Sequence, residues 1–396
     1  MLTNWIYKNH QVGLDTALTL LVFFIPISKA IPNILLIPVG IFYCIGLYYT
    51  KQFKPPKFWY LFLLLILSLL INSFIVDDFI NELGIAIKMI LGTLIFLIVK
   101  QTNQREWVEK AFYLGITISI LYSLFQILKF IYYDINFSLG LGEDIYQILL
   151  IDRPYLGFSI AVSNAIILYN IRNDLYSKSF YFLCLFFFLY TFLISARLSI
   201  ILSVISFVHH AFLIIKKIEF KHIAIGILSS ILILTTLFFS PSIKERMRIG
   251  ESFEKTIESL KAYEPRYLIW KCSMELLQND GIMSFNSHHN LQQSLDHCYS
   301  NKIKKEEKLN FYLETRFNTH NQFFDILLSG GIIAFLIFIS MLVMPFLELY
   351  HQKSNLIIIG LIIAFFVVEN VLLRELGCYL FGIFAALTYK SGEQKV

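Results

Sequence analysis

The sequence carries little charge. Asp, Glu, Lys and Arg make up only 15% of its 396 residues, whereas an ordinary soluble domain carries about 25%. Apolar residues account for 57% of the chain, and the mean hydropathy is +0.66. Because a water-soluble fold cannot hide so much apolar surface, the composition predicts one all-α, polytopic membrane domain rather than several soluble domains.

The sequence also lacks the motifs of several enzyme classes. It has no Walker loop, no G-x-G-x-x-G turn and no G-x-S-x-G elbow. His288 and His289 are adjacent and His297 follows them, a spacing that fits neither a zinc finger nor the H-E-x-x-H motif. We therefore expect no metal and no cofactor. The net charge of +5 comes largely from short basic loops that membrane topology explains, so we expect no nucleic-acid partner.

Apolar runs of helical length recur along most of the chain. A bilayer core needs about 20 apolar residues per helix, and by that measure the sequence predicts about twelve transmembrane helices. Their approximate ranges are 13–29, 31–49, 58–76, 83–99, 110–129, 155–171, 179–196, 198–215, 222–240, 322–346, 355–372 and 373–389.

Loop charges orient the predicted helices. Every second loop is rich in Lys or Arg, as short cytoplasmic loops are, whereas the intervening loops at 76–82 and 132–147 are acidic. Both termini should then be cytoplasmic and the long loop should lie outside. The chain divides accordingly into transmembrane helices one to nine (1–240), a large periplasmic loop (241–321) and three final helices with a cytoplasmic tail (322–396).

The long loop has an apolar periodicity of its own. The apolar residues with helical spacing are Tyr267, Trp270, Met274 and Leu277, which predicts a helical cap over the membrane helices. Cys272 and Cys298 lie in the same loop. In an oxidising compartment a disulfide between them can persist, but the sequence leaves open whether the two residues come within bonding distance.

Three charged or titratable residues near this loop are candidates for chemistry. Arg197 lies between two predicted helices, where it is either an interfacial anchor or a charge that faces a cavity or a partner. Arg266 follows Pro265 at a predicted helix start, and a guanidinium fork there matches phosphate oxygens, although a surface salt bridge is the more ordinary interpretation. His320 lies where the chain re-enters the membrane, as an interfacial side chain or a group for proton transfer near neutral pH.

Taken in order, short motifs around these residues resemble those of the O-antigen ligase and polymerase superfamily of bacterial envelopes, and its O-antigen ligase-like branch in particular. The motifs are DRPYLGFSIAVSNAIIL with Arg153 and Tyr155, ISARLSI with Arg197, EPRYLIWKCSMELL with Arg266 and Trp270, FNTHNQFFDILLSGGIIAFLIF with His320 and Asn321, and VVENVLLRELGCYLFGIF with Glu369 and Arg374.

The resemblance implies a GT-C-like membrane glycosyltransferase of the bacterial inner membrane. Such an enzyme transfers a glycan from undecaprenyl diphosphate, held among membrane lipids, to a hydroxyl of the lipid A core at the periplasmic face, without a metal. His320 would be the general base. The diphosphate would be bound by Arg197 and Arg266, and the donor oriented by Arg153 and Tyr155. Supporting roles would fall to Asn321, Trp270, Glu369 and Arg374.

Other functions stay open at this point. An O-antigen or capsular polysaccharide polymerase uses the same donor with another glycan as the acceptor, and nothing in the sequence identifies the acceptor. A protein oligosaccharyltransferase is a third form of the same chemistry. A polysaccharide transporter or lipid flippase belongs to a different class, in which Lys88, Glu369 and Arg374 would line a translocation path.

Overall fold

A computed structural model of the protein describes residues 2–50, 54–133, 147–214, 264–281, 286–350 and 353–390. These residues form α-helices and their connections, with no strand among them. The helices are α1 (Leu2–Phe24), α2 (Ile31–Thr50), α3 (Lys57–Ile75), α4 (Phe79–Gln101), α5 (Arg105–Tyr133), α6 (Arg153–Arg172), α7 (Phe180–Leu193), α8 (Arg197–Ile214), α9 (Pro265–Asp280), α10 (His288–Lys302), α11 (Glu306–Thr315), α12 (Gln322–Glu348), α13 (Lys353–Phe366) and α14 (Glu375–Lys390).

Many of these helices fit a bilayer. Seven are long and apolar enough to cross a membrane, namely α2, α3, α4, α5, α6, α8 and α12, and α7, α13 and α14 are shorter apolar helices. The predicted all-helical, polytopic architecture is thereby confirmed. Each predicted transmembrane helix overlaps a described helix, except 222–240, which lies outside the described residues. The total of twelve stays a prediction.

Helix α6 is the most enclosed of the membrane helices. Of its most apolar stretch, 94% is buried although its hydropathy is only 1.3, because it packs against α7, α8, α13 and other helices rather than against lipid. Phe158 stacks on Phe365 of α13, with the ring centroids 4.1 Å apart. This packing fixes the position of the first turn of α6, where Arg153 lies.

Helices α4 and α14 approach each other closely through glycines. A Cβ atom on Gly382 would lie 2.4 Å from the carbonyl oxygen of Gly92, so no larger residue fits without a shift of backbone. Small residues allow this kind of close contact between membrane helices. The segment between α13 and α14, which carries Glu369, also contacts α4, because Lys88 Nζ donates to the carbonyl oxygen of Leu373 at 3.4 Å.

Helix α12 bends where two glycines meet. Gly331 has φ 69° and ψ −175°, a backbone conformation that L side chains rarely adopt. The side-chain amide of Asn72 in α3 donates to the carbonyl oxygen of Gly330 and so satisfies a backbone group at the bend. The first turns of α12 are thereby set at a different angle from the rest of the helix.

Helices α9, α10 and α11, which we call the cap, form a small hydrophobic core of their own. Its fully buried members include Ile269, Cys272, Leu295 and Tyr299. Cys272 and Cys298 are joined by a disulfide, with their Cα atoms 5.9 Å apart. The disulfide therefore ties α9 to α10 inside the cap.

The cap helix α9 matches the prediction of a helix and half of its predicted apolar face, because Trp270 and Leu277 pack against the cap core. Tyr267 and Met274 are 47% and 44% exposed, whereas Ile269 and Cys272 are fully buried. The face of α9 toward the cap core is thus set by contacts with α10 that the local pattern does not contain.

Candidate functional site

A chain of charged and titratable side chains lies where the cap joins the membrane helices. Arg197 Nη1 lies 3.4 Å from Glu264 Oε2, and Arg266 Nη1 donates to Glu264 Oε1 at 3.1 Å. Arg266 Nη2 lies 3.5 Å from Glu369 Oε2, and His320 Nδ1 lies 3.3 Å from Glu369 Oε1. We call Arg197, Glu264, Arg266, His320 and Glu369 the rim cluster.

The rim cluster is closed at one end and open at the other. The Glu369 side chain is only 3% exposed, and that of His320 is 16% exposed. In contrast, the side chain of Arg266 is 32% exposed and that of Arg197 is 39% exposed. A ligand can therefore reach the guanidinium groups and the outer edge of the imidazole, whereas the carboxylate of Glu369 is covered.

Glu369 is an ionised partner for His320. Burial opposes ionisation, but the hydrogen bond with His320 and the positive charges of Arg266 and Arg374 outweigh it, and the pKa of Glu369 is lowered. A carboxylate beside Nδ1 favours the tautomer that carries its proton there. Nε2 of His320 is then the nitrogen that can accept a proton.

A strained turn presents His320. Its φ is 42°, in the left-handed region that costs a side-chain-bearing residue on the order of 1–2 kcal/mol. The turn is held on both sides: the His320 N–H donates to Asn318 Oδ1 at 3.1 Å, and Asn321 Oδ1 accepts from the N–H groups of Phe323 and Phe324 as the N-cap of α12. Strain maintained by such bonds is common at functional sites.

Arg266 occupies the first turn of α9, after Pro265 at the helix start. Proline suits this position because its missing N–H would have no partner within the helix. Arg266 Nε donates to the carbonyl oxygen of Val368 at 3.2 Å. Its guanidinium is therefore held between the cap and the segment before α14.

A second set of ion pairs lies next to the rim cluster. Asp152, just before α6, accepts from Arg374 Nη1 at 3.1 Å and from Lys29 Nζ at 3.4 Å. Arg153 is the first residue of α6. Arg374 thus pairs with Asp152 and acts on Glu369 only through its charge.

Two residues expected at the site lie behind it. Tyr155 is 1% exposed, and its hydroxyl donates to the carbonyl oxygen of Asn370 at 3.4 Å. A direct donor contact is closed to Tyr155 in this arrangement, since it supports the segment that carries Glu369. Trp270 is half-buried against the cap core, and its indole nitrogen has no hydrogen-bond partner among the described residues.

The transporter interpretation placed Lys88 in a path with Glu369 and Arg374. Lys88 Nζ donates to the carbonyl oxygen of Leu373 at 3.4 Å, Glu369 bonds His320 and Arg266, and Arg374 bonds Asp152. Each of the three residues thus has a partner of its own among the described residues, and the transporter interpretation stays a prediction.

The structure also reveals a site that the motifs did not predict. His288 Nδ1 lies 2.6 Å from Glu82 Oε1, and its main-chain N–H donates to Glu82 Oε2 at 3.3 Å. His288 Nε2 lies 3.0 Å from Asp325 Oδ2. Asp325 Oδ1 accepts from Asn370 Nδ2 at 3.0 Å and lies 3.5 Å from the hydroxyl of Thr319. We call Glu82, His288, Thr319, Asp325 and Asn370 the buried network.

His288 is charged in this network. Burial by itself lowers the pKa of an imidazole, but the carboxylates of Glu82 and Asp325 outweigh it and raise the pKa of His288 well above its ordinary value of 6.5. The side chain is only 7% exposed. An imidazolium held between two carboxylates therefore links the cap helix α10 to α4 and α12.

The spacing of the cap histidines excludes a metal motif at His288 but carries no information on a carboxylate partner. The available signal was a different one: Glu82 and Asp325 lie in apolar segments, where a carboxylate requires a partner. Such a signal shows that a partner exists but does not identify it.

No protein-family model matches this chain, and no curated protein is significantly similar to it. The resemblance drawn from the sequence motifs accordingly stays a prediction.

Proposed function

We propose that the protein is a glycosyltransferase of the O-antigen ligase type. It transfers a glycan from a polyprenyl diphosphate, such as undecaprenyl diphosphate, to a hydroxyl acceptor such as the lipid A core, without a metal. The observation that carries the proposal is the rim cluster: two partly exposed guanidinium groups, each paired with a carboxylate, and a carboxylate-bound imidazole lie together at one end of an apolar helix bundle. A lipid-linked diphosphate sugar requires this combination of an apolar surface, cations and a base.

The two arginines supply the binding site for the diphosphate. Glu264 bridges Arg197 and Arg266 and so relieves the repulsion between their charges. A diphosphate carries more negative charge than one carboxylate and matches guanidinium forks bidentately, so it competes with Glu264 for both groups. The same contacts stabilise the charge that develops on the diphosphate as it leaves, which is the kind of interaction that dominates many enzyme rates.

His320 supplies the base. The acceptor hydroxyl oxygen bonds to the anomeric carbon as the bond from that carbon to the diphosphate oxygen breaks, with inversion at the carbon. The hydroxyl proton passes to His320 Nε2, and the electron pair of the broken bond leaves with polyprenyl diphosphate. Glu369, bonded to Nδ1, stabilises the imidazolium that forms, as the carboxylate does in a Ser-His-Asp triad.

We further propose that the fold is GT-C-like, with about twelve transmembrane helices in the bacterial inner membrane, both termini in the cytoplasm and the cap in the periplasm. The disulfide between Cys272 and Cys298 supports this placement of the cap, because disulfides persist in oxidising compartments. The basic short loops at the other end support it as well.

The glycan profile of a strain that lacks this chain tests the activity. Loss of a ligase leaves glycan polymer on the lipid carrier and none on lipid A, and the gene returned in trans restores the wild-type profile. Loss of a polymerase would instead leave single repeats attached to lipid A. An unchanged profile, with all surface and carrier-linked glycans as in the parent strain, contradicts the proposal.

A further inference from the structure

We propose that His288 is a positioning residue for His320. Its ion pairs clamp it between the cap and the membrane helices and fix Asp325, which in turn fixes Asn370. Asn370 holds the turn that places His320 against Glu369. The inference rests on the proposed function for its kinetic test. It assigns no contact with substrate to His288, which the fold seals from solvent.

His288 is clamped between the cap and the membrane helices. His288 is the first residue of α10, with Ser287 as its N-cap, and its ring is held from opposite sides by Glu82 of α4 and Asp325 of α12. The hydroxyl of Ser329 lies 3.3 Å from Nε2 as well. Both ring nitrogens are therefore occupied, and α10 cannot move away from α4 and α12 without breaking these bonds.

Asp325 connects the clamped His288 to the residues beside the rim cluster. One oxygen of Asp325 faces His288 and Gln322, at 3.0 and 3.3 Å. The other oxygen accepts from the side-chain amide of Asn370 at 3.0 Å. The orientation of the Asp325 carboxylate toward Asn370 is thus fixed by its bonds to His288 and Gln322.

Asn370 lies next to both His320 and Glu369. Asn370 Oδ1 accepts from the main-chain N–H of Asn321 at 2.6 Å and from the hydroxyl of Thr319 at 3.1 Å. Those two residues flank His320, and Asn370 itself follows Glu369 in the chain. One side-chain amide therefore holds the Thr319 side chain before His320 and the Asn321 backbone after it, and it belongs to the residue next to Glu369.

The strain at His320 makes this support necessary. A residue at φ 42° relaxes toward an ordinary conformation when the bonds that hold it are lost. Removal of the charge on His288 leaves Glu82 and Asp325 as two uncompensated buried carboxylates, which is a costly arrangement. We expect Asp325 to turn away and Asn370 to release the 319–321 turn.

The test uses the full-length protein purified in detergent, with His288→Gln as the variant and Lys302→Met as the matched control. Lys302 also lies on α10 and forms a cap ion pair with Glu275 at 2.8 Å, but it has no bond to the buried network. Donor transfer is measured with the lipid-linked glycan extracted from the strain that lacks this chain. For His288→Gln we expect kcat to fall by about 100-fold, the effect of a small misplacement of a reacting group, with KM for the donor within about two-fold of wild type. Lys302→Met keeps both constants.

A second readout does not depend on activity. Hydrogen exchange of the backbone amides at 319–321 should accelerate by at least about ten-fold in His288→Gln, because the bond from the Asn321 N–H is lost, and should not change in Lys302→Met. If His288→Gln does not accumulate, Glu82→Gln makes the test, because it breaks the ion pair at His288 Nδ1 and leaves Asp325 and Asn370 in place; the same acceleration at 319–321 is expected. Asn370→Ala then tests the last link of the path by itself.

The two readouts separate the failure of this inference from the failure of the proposed function. Suppose that the wild-type protein has no transfer activity, but that exchange at 319–321 accelerates in the variant. This result contradicts the proposed function and supports the positioning role. Transfer and exchange that both stay at wild-type values in His288→Gln overturn the positioning role. A rise in KM alone, with kcat unchanged, overturns it too, because it would place His288 in donor binding.

Discussion

The rim cluster and the buried network both pair an imidazole with carboxylates, yet they differ in what surrounds the ring. His320 has one carboxylate partner and a side chain that is 16% exposed. His288 has two carboxylate partners, on both ring nitrogens, and its side chain is 7% exposed. A ring with one nitrogen still available can exchange a proton with a substrate, whereas a ring with both nitrogens bonded can only hold structure in place.

The charge balance of the two sites differs as well. In the rim cluster two guanidinium groups face two carboxylates, so a proton taken up by His320 gives the cluster a net positive charge beside a bound anion. In the buried network one imidazolium faces the carboxylates of Glu82 and Asp325, so these three groups carry a net negative charge that repels an added anion. The exposure of the ring to a substrate and the net charge of the groups around it, more than residue type, distinguish a reactive histidine from a structural one.

The largest effect should come from the loss of the reactive ring. His320→Ala removes the base, and we expect transfer to fall by about 1,000-fold, within the range that general-base catalysis contributes. Purified full-length protein with the lipid-linked donor gives the measurement. His297→Ala, on an exposed cap histidine, is the matched control and should keep its activity; a His320→Ala variant as active as that control removes His320 from the mechanism.

The next largest effect should be on stability and should come from the other site. Glu82→Gln breaks a buried ion pair with His288, and removal of one partner of such a pair costs about 3 kcal/mol or more. Unfolding in detergent measures the loss. Glu106→Gln breaks the exposed pair with Lys110, for which about 0–0.5 kcal/mol is expected. Equal stability of the two variants would show that the buried network contributes no more than a surface pair.

The sequence predicted the helices well because hydrophobic run length is a local property. It also pointed to Arg197, Arg266 and His320, since charged residues next to apolar segments are conspicuous, and the structure brings the three together in the rim cluster. It did not predict Glu264 as the carboxylate between the arginines, nor the burial of Tyr155, because both depend on how distant helices pack.

The buried network shows the limit most clearly. His288 and Glu82 are 206 residues apart, and nothing near either one indicates the other. Only the placement of α10 against α4 brings them together. The same holds for Asn370, whose amide reaches back to Thr319 and Asn321. A sequence pattern can report that a carboxylate in an apolar segment requires a partner, but the fold decides which partner it has.

A smaller effect should separate a bidentate cation from a point charge. Arg266→Lys keeps the charge but loses the fork, so we expect transfer to fall by about ten-fold, equivalent to the loss of one hydrogen bond to a charged group. Arg316→Lys, on an exposed cap arginine, should leave the rate unchanged. If Arg266→Lys is as active as Arg316→Lys, the guanidinium of Arg266 does not bind the donor diphosphate bidentately.

The most gradual effect should be a pH dependence of stability that the buried network supplies. The pKa of His288 is raised in the folded protein, so its contribution to stability is fully present below about 6.5 and is lost as pH rises through the folded pKa. Relative to His288→Gln, the wild type should lose at most about 1.4 kcal/mol of stability per pH unit above 6.5. Unfolding in detergent across that range provides the data, and parallel pH curves for the two proteins would contradict an imidazolium at His288.

The most direct measurement is an electron cryomicroscopy structure of the full-length protein with undecaprenyl diphosphate bound. We predict that the phosphate oxygens lie about 3 Å from the guanidinium nitrogens of Arg197 and Arg266, with Glu264 displaced from at least one of them and Nε2 of His320 facing the terminal phosphate. A diphosphate bound away from both arginines, or at the opposite end of the helix bundle, would contradict the account.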